Sequence, residues 1–506
     1  MRSRNAVLNI LTLVTFTVVT TSVALFTSPL LERWLNPARF GAARLLIDCQ
    51  GYLTLLELGL GGALSPLLAR AFARGDRDAL KRSMAVASQA YLGISLATVV
   101  VGVLSTFFVL KLGKGLSATD LLDFRTAWLI GLASFLTLGL IPFRTIVEAR
   151  QHGYRINLML TVQTLIITGL SLYFAKSGWG ITGQSLAQVI GVWVFSIAVT
   201  ASVLWGDPGL IRSWVTKTDR QTRQSLGTMS AAAFAINLSG RVSLMTDNLV
   251  VGPILGTSLV TTLFLTQRLA TLVATLLGGI STSIWAQLAD LHARGEFENF
   301  RRRLVELSRL IAILSMTALA PIVVYNRHFV RLWMGPDFAY GGDLVILIAA
   351  INAFLQAQLA LWGWCFSGTG QMQKVVVTSV VAAVVNIVAS ITLTYTFGLV
   401  GPLLGTSFSF LTVGIWNFPL LLKKVFGVSL RDLAAAVGGP LAAGVVFALG
   451  LAWLTQGHTP RGWAGLMIEM SLAATVYLGI AATLIALDEH ERAIWRLRLR
   501  VIFGRG

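Results

Sequence analysis

The chain has 506 residues, of which 55% are hydrophobic and only 12% are charged, and its mean hydropathy is +0.75. A soluble globular protein carries about 25% charged residues, so this composition excludes a soluble protein and indicates an integral membrane protein. The 40 basic and 22 acidic residues give a net charge of +18. Because no soluble basic domain accompanies it, this charge indicates membrane topology and contact with anionic lipid headgroups, not nucleic-acid binding.

Uncharged segments long enough to cross a bilayer recur along the chain, for example from Ser83 to Leu110 and from Ile156 to Ala175. About 20 apolar residues suffice for one helical span, and the segments lack the alternation of β-barrel strands. The longest, from Val375 to Leu422, is interrupted by turn formers between Phe397 and Pro402, which predicts two helices. The sequence therefore predicts an all-α polytopic membrane protein with about 14 transmembrane helices, over residues 7–31, 43–68, 83–110, 126–143, 156–175, 181–204, 226–252, 258–289, 304–325, 343–366, 375–396, 401–422, 433–455 and 464–487.

The first predicted span is too long for the apolar region of a signal peptide, so we expect it to remain as a membrane anchor. If the N-terminus is cytoplasmic, most of the 40 basic residues fall in cytoplasmic segments. The positive-inside rule therefore predicts that both termini are cytoplasmic.

Two short segments recur with almost the same spacing, 220 and 218 residues. ARGDRDALKR, from Ala73 to Arg82, resembles ARGEFENFRR, from Ala293 to Arg302, and the segment Gly180–Ala187 resembles Gly398–Gly405. Each pair is separated by six predicted helices, an even number, so the sequence predicts two parallel six-helix repeats. In the charged pair we expect a glycine to end one helix and an acid to favour the start of the next.

The predicted organisation has four parts. These are an N-terminal six-helix bundle over residues 1–224, a C-terminal six-helix bundle over residues 225–424, two additional transmembrane helices over residues 425–487, and a basic amphipathic cytoplasmic tail over residues 488–506. Such a tail is expected to lie on the inner leaflet.

Together these features resemble the polysaccharide-transporter branch of the multidrug/oligosaccharidyl-lipid/polysaccharide (MOP) exporter superfamily. The likeness rests on the six-plus-six-plus-two arrangement, the segment Glu57–Gly61, the paired ARGD and ARGE motifs, and Thr246–Gly252 ahead of Leu255 and Gly256. The resemblance implies a flippase of the bacterial inner membrane that moves polyprenyl-diphosphate-linked oligosaccharide by alternating access, for O-antigen, capsule or exopolysaccharide synthesis. It also implies membrane lipids, a coupling proton or sodium ion and polysaccharide polymerase machinery as partners.

Charged residues within predicted spans are costly and are candidates for function. Arg44 and Asp48 are one helical turn apart and are predicted to form an ion pair. Arg241 and Asp247 lie on different sides of one helix, so each must face a different neighbour. Arg268 has no acid within two turns, and its planar guanidinium suits a diphosphate. We therefore predict Arg268 and Arg241 as diphosphate-binding residues, and Glu57 and Asp247 as ion-coupling residues.

Several alternatives are weighed against this interpretation. The chain lacks a Gly-x-x-x-x-Gly-Lys-Ser/Thr motif, which disfavours an ATP-driven pump, and its short outer loops disfavour a membrane glycosyltransferase, so no enzyme activity is predicted. Cys49 and Cys365 have no partners at metal-ligand spacing, so neither a disulfide nor a metal or other cofactor is predicted. A flippase for the lipid-linked peptidoglycan precursor and a cation-coupled multidrug antiporter of the same superfamily stay open.

Overall fold

The structure, a computed structural model, describes residues 2–57, 77–150, 152–214 and 246–483, together with residues 60, 64, 68, 234 and 240. Over these residues the regular elements are helices, and eleven segments are long and apolar enough to cross a membrane. Gln373–Phe426 covers two predicted spans, and Leu11–Glu57 covers most of the first predicted span and the part of the second up to residue 57. Most of the predicted span 226–252 lies outside the described residues. The all-α polytopic fold is confirmed.

The chain forms two compact units, Met1–Thr262 and Leu263–Gly506. In the first unit the helices are α1 (Arg2–Leu53), α2 (Arg77–Leu104), α3 (Thr106–Lys111), α4 (Ala118–Gly131), α5 (Ile141–Ala149), α6 (Gly153–Lys176) and α7 (Gly180–Gly206), with 3₁₀ segments at Thr54–Glu57, Leu132–Leu140 and Pro208–Trp214. A further helix covers residues 246–255. The predicted boundary between repeats at residues 224 and 225 lies outside the described residues and stays a prediction.

The second unit continues the helical pattern. Helix α8 (Thr257–Thr266) runs across the boundary between the units. The helices that follow it are α9 (Arg268–Ala293), α10 (Phe297–Met334), α11 (Asp343–Gly368), α12 (Gln373–Phe397), α13 (Gly401–Ser409), α14 (Ile415–Phe426), α15 (Leu430–Leu454) and α16 (Gly462–Ala481). A 3₁₀ turn, Gly398–Val400, and a π-helical segment, Phe410–Gly414, connect α12 to α14. The predicted tail, residues 488–506, lies outside the described residues.

Helix α1 holds the first predicted span and the start of the second, and it changes direction at Asn36, whose φ is 67°. Asparagine tolerates this left-handed conformation better than most residues. Its side-chain oxygen accepts a hydrogen bond from the Arg39 backbone amide at 3.0 Å, and Pro37 follows it. An asparagine cap with proline next begins a new helix without lost backbone bonds. The predicted loop between the first two spans is therefore reduced to one capped kink.

The fourth predicted span is interrupted in its middle. Between α4 and α5 the 3₁₀ segment Leu132–Leu140 runs for 9 residues, although 3₁₀ stretches rarely exceed 3–4 residues. Side chains from neighbouring helices bond its carbonyls: Ser95 reaches Phe135 at 3.0 Å, and the Trp193 indole reaches Ala133 at 3.0 Å. Packing with α2 and α7 thus compensates for the weaker 3₁₀ hydrogen bonds.

The repeated segments occupy turns between helices, as far as the structure describes them. In the second charged copy, Gly295 has a φ of 76° and α10 begins two residues later, which confirms the glycine turn predicted there. Residues 73–76 of the first copy lie outside the described residues. The glycine pair begins α7 and α13, where a Cβ atom on Gly183 would meet Phe174 and one on Gly405 would meet Ser390. Both glycines therefore allow close packing against the preceding helix.

Candidate functional site

The first unit contains a buried acid with two polar partners. Asp48, on α1, is only 3% exposed. Its Oδ1 lies 3.8 Å from Nη2 of Arg44, one turn earlier, and its Oδ2 accepts a hydrogen bond of 2.7 Å from Nδ2 of Asn248. A carboxylate out of water needs such partners, because an unpaired buried charge is strongly destabilising. The sequence placed Arg44 and Asp48 together but did not identify Asn248.

The same two segments meet again one turn further along α1. The hydroxyl of Tyr52 lies 2.6 Å from Oγ1 of Thr246, and Asp247 acts electrostatically on Tyr52. Asp247 is therefore beside this contact, half-buried in the helix over residues 246–255. We call Arg44, Asp48, Tyr52, Thr246 and Asn248 the Asp48 cluster.

Glu57 ends the 3₁₀ segment that follows α1 and is half-buried. Its Oε1 accepts a hydrogen bond of 2.5 Å from the hydroxyl of Tyr91, which is fully buried in α2. Arg144 and Glu148, on α5, act electrostatically on the same hydroxyl. Glu57 therefore faces a polar region between α2 and α5. The hydrogen bond from Tyr91 fixes the direction of the carboxyl group.

A cavity of about 320 Å³ opens in the first unit beside the 3₁₀ segment. Arg144 lies at this cavity with its Cζ 5.9 Å from the ring centroid of Phe195 and its Nε 2.8 Å from Oε1 of Glu148. The remaining lining is mostly apolar, with polar groups from Thr137, Gln163 and Ser196. Apolar walls with a few polar groups are typical of small-ligand sites. The sequence analysis missed Arg144 because it ended the fourth span at residue 143, whereas α5 continues to Ala149.

Of the two arginines predicted to bind diphosphate, the structure describes Arg268 but not Arg241. Arg268 is the first residue of α9, half-buried, and its guanidinium carbon lies 5.4 Å from the ring centroid of Phe264. A guanidinium over an aromatic ring gains cation–π attraction while it keeps its charge. Gln267 separates α8 from α9, so the predicted eighth span is interrupted just before Arg268. Arg241 lies outside the described residues.

These observations define a multi-pass, all-helical membrane protein whose bundles enclose acids, an arginine and hydroxyl groups. Among solved structures, it resembles a lipid II flippase, MurJ, in an inward closed conformation: the TM-score is 0.71 at 14% identity, over 93% of this chain and 98% of that one. It also resembles an inward-facing multidrug resistance MATE family transporter of the MOP superfamily, with a TM-score of 0.61 at 14% identity, over 81% of this chain and 99% of that one.

A third similar structure is a MOP superfamily transporter from Pyrococcus furiosus Vc1, described as having a binding pocket of reverse polarity. Its TM-score is 0.56 at 15% identity, over 84% of this chain and 96% of that one. No protein-family model and no curated protein sequence matches the chain. The chain has the fold of MOP superfamily transporters.

Proposed function

We propose that the protein is a flippase that moves a polyprenyl-diphosphate-linked oligosaccharide across the bacterial inner membrane by alternating access, for surface polysaccharide synthesis. The observation that carries the proposal is the likeness to a lipid II flippase, which extends over 93% of this chain at a TM-score of 0.71. The N- and C-termini are cytoplasmic in this proposal, as the positive-inside rule predicts.

The diphosphate is assigned to Arg268, with Arg241 as its partner. Guanidinium groups bind phosphate oxygens in a bidentate manner and keep their charge at every physiological pH. The aromatic ring of Phe264, 5.4 Å from the guanidinium carbon of Arg268, supports the position of this group. An arginine held in this way favours an anionic cargo over a cationic drug.

Ion coupling is assigned to Glu57 and Asp247. Both are half-buried acids of the first unit, and Glu57 accepts a hydrogen bond from the hydroxyl of Tyr91 at 2.5 Å. An acid with a hydroxyl partner accepts a proton or a sodium ion with little rearrangement, because the hydroxyl can reorient. A bound proton or sodium ion neutralises the carboxylate charge. A neutral group is less costly to keep within the membrane than a charged one.

The cavity near Arg144 supports an amphiphilic cargo. Its apolar lining suits a hydrocarbon chain, while Arg144 and Gln163 offer donors for a polar head. A cation-coupled multidrug antiporter would instead be expected to line such a cavity with acids. The charged residue in the lining of this cavity is Arg144, and its guanidinium pairs with Glu148.

A second candidate cargo is the lipid-linked peptidoglycan precursor. The specific observation in its favour is the name of the similar flippase, which acts on lipid II. It shares the polyprenyl diphosphate with the first candidate, so the same arginines serve either cargo. Only the sugar portion distinguishes them.

The test is a flipping assay in proteoliposomes that contain fluorescent cargo on one leaflet. Three cargoes are compared: a polyprenyl-diphosphate oligosaccharide, the lipid-linked peptidoglycan precursor, and a cationic dye. We expect the oligosaccharide to be moved faster than in protein-free vesicles, and faster than the other two. Transport of the dye alone would overturn the proposal, and preference for the peptidoglycan precursor would select the second candidate.

A further inference from the structure

The helical path is interrupted where α8 meets α9. Helix α8 ends at Thr266 and α9 begins at Arg268. Gln267 between them has a φ of −87° and a ψ of 5°, whereas an α-helix has a ψ of about −42°. Proline, glycine and side chains inserted from elsewhere are common causes of such an interruption. The sequence from Thr257 to Leu277 contains neither proline nor glycine, so the cause lies outside the local sequence.

A buried asparagine of another helix binds the end of α8. Asn326, on α10, is 0% exposed, and its Nδ2 donates a hydrogen bond of 2.9 Å to the backbone carbonyl of Thr266. In a continuous α-helix this carbonyl accepts from the backbone amide four residues later, that of Ala270. A side chain that binds the same carbonyl competes with the helical bond. Asn326 therefore accounts for the end of α8 at Thr266.

The loop between α10 and α11 binds the same residue from a second side. The backbone amide of Gly341 donates to Oγ1 of Thr266 at 3.0 Å, and the hydroxyl of Tyr340 accepts from Nδ2 of Asn326 at 3.3 Å. Both hydrogens of Nδ2 thus have acceptors, which fixes the orientation of the side-chain amide. The break is therefore held by hydrogen bonds within the second unit.

Stability alone does not explain an asparagine at this position. Its Oδ1 is buried and has no hydrogen-bond partner among the residues that the structure describes. A buried polar atom without a partner lowers stability, whereas an apolar side chain of the same shape avoids this cost. A leucine at position 326 would remove the polar atom and leave the Thr266 carbonyl to Ala270. An unsatisfied polar group of this kind calls for an explanation in function.

The break determines the direction of Arg268. This arginine is the second residue after Thr266, and its guanidinium carbon lies 5.4 Å from the ring centroid of Phe264, in the last turn of α8. Each helical residue adds about 100° of rotation, so the backbone angles of Gln267 set where the side chains of α9 point relative to α8. If the helix became continuous, Arg268 would turn together with α9.

We propose that Asn326 is a positioning residue for Arg268. By binding the Thr266 carbonyl, its side-chain amide keeps α8 and α9 separate and so directs the guanidinium toward the diphosphate of the cargo. This role rests on the proposed function, which assigns the diphosphate to Arg268. Asn326 acts through the backbone and does not itself contact the cargo. Orientation matters because bidentate binding of phosphate oxygens requires the planar guanidinium to face them.

The test compares Asn326→Leu with a matched control, Asn386→Leu. Asn386, on α12, is also 0% exposed, donates from Nδ2 to Oγ1 of Thr406 at 2.9 Å, and has a buried Oδ1 without a partner in the described part of the chain. This contact joins α12 to α13. Flipping in proteoliposomes is measured for two cargoes that share the same sugar and prenyl chain but carry either a diphosphate or a monophosphate. Unfolding midpoints are measured for both variants.

We expect Asn326→Leu to lower the preference for the diphosphate cargo about fivefold, because the guanidinium no longer faces both phosphates. Flipping of the monophosphate cargo and the unfolding midpoint should stay close to those of Asn386→Leu, which keeps the wild-type preference. Equal losses for both cargoes would indicate a purely structural role and overturn the proposal, as would a wild-type preference in Asn326→Leu. If Asn326→Leu yields no folded protein, Asn326→Ala is measured in the same way, and absence of folded protein in both also overturns the proposal.

A second measurement needs no cargo. Hydrogen–deuterium exchange of the full-length protein in lipid nanodiscs reports whether backbone amides are hydrogen-bonded. We expect exchange at Ala270 to be slower in Asn326→Leu than in wild type, because the released Thr266 carbonyl accepts from this amide, and to be unchanged in Asn386→Leu. Equal exchange in Asn326→Leu and wild type would overturn the proposal. If wild type moves no lipid-linked cargo, the proposed function fails, while exchange at Ala270 still decides whether Asn326 keeps the two helices separate.

Discussion

The two units hold their acids in different ways. In the first unit Glu57 accepts from the hydroxyl of Tyr91, and Asp48 accepts from the amide of Asn248. Neither donor changes charge near neutral pH. In the second unit Nε2 of His458 lies 2.9 Å from Oε1 of Glu469, and the pair is an ion pair only when the imidazole is protonated. The comparison teaches that acids in the two units differ in their partners, a neutral hydroxyl or amide in the first unit and an imidazole in the second.

The arginines of the two units also lie against different kinds of group. Arg44 lies 3.8 Å from Asp48 and contributes to its charge balance, whereas Arg268 lies over the ring of Phe264. The first arrangement concerns folding, whereas the role that we propose for the second is contact with an anionic cargo. The predictions below either sharpen this contrast or break it.

The largest effect is expected at Arg268. Arg268→Ala should reduce flipping at least tenfold, about 1.4 kcal/mol of barrier, at normal protein abundance. Arg268→Lys should recover part of this, because an ammonium supplies charge without the bidentate geometry. Flipping rates and folded protein in the membrane are measured together for both variants. Wild-type flipping by Arg268→Ala would remove the assigned contact with the diphosphate.

The contrasting variant in the first unit is Arg44→Ala. It leaves Asp48 with Asn248 as its remaining described side-chain partner, so we expect less folded protein and a loss of stability of about 1–3 kcal/mol. The amount of monodisperse protein after solubilisation measures this. If Arg44→Ala folds normally and fails only in flipping, the two arginines do not differ as proposed.

A smaller effect on transport is expected at the coupling residue. Glu57→Gln should lower ion-driven flipping several-fold and flatten its dependence on pH, while insertion stays normal. Tyr91→Phe removes only the donor and should give a milder loss. Rates across a pH series in the presence and absence of an ion gradient separate the two. An unaltered pH profile in Glu57→Gln would exclude a coupling role for this acid.

The glycine segments should affect both units equally. Gly183→Ala and Gly405→Ala place a Cβ atom against the preceding helix and should each cost about 1–3 kcal/mol. Gly169→Ala and Gly438→Ala are the controls, since a Cβ atom there meets nothing within 4 Å and alanine favours helix. Unfolding midpoints decide this. A normal midpoint for Gly405→Ala would show that α12 and α13 can separate without cost.

The predicted topology is tested by cysteine labelling, and these substitutions are not expected to change stability. Single cysteines at Ser117 and Gly457 should react with an impermeant thiol reagent from outside, and a cysteine at Gly75 should not. Labelling is measured on sealed cells, with lysed cells as the control for reactivity. Reaction at Gly75 in sealed cells contradicts the predicted orientation and with it the outer location of the His458 loop.

Much of the fold follows from the sequence, because long apolar segments must become helices in a bilayer. The predicted loop after the first span became a single kink at Asn36, since hydropathy marks where charges lie and not where a helix ends. The 3₁₀ segment Leu132–Leu140 depends on donors from Ser95 and Trp193, which are distant in sequence.

The candidate site was less accessible to sequence analysis. Arg44 and Asp48 are neighbours on one helix, so their spacing predicts a contact. Asn248 lies 200 residues from Asp48, and only the tertiary structure brings the two together. Glu469 could have been found by searching each predicted span for single charges, whereas its partner His458 could not.

The central claim is that the protein moves a lipid carrying a diphosphate, and one measurement addresses it most directly. Flipping by the reconstituted wild-type protein is compared for two cargoes that share the same sugar and prenyl chain but carry either a diphosphate or a monophosphate. The account predicts that the diphosphate cargo is moved at least tenfold faster, about 1.4 kcal/mol of barrier, and that Arg268→Ala abolishes this preference. Equal rates for the two cargoes in wild type would contradict it.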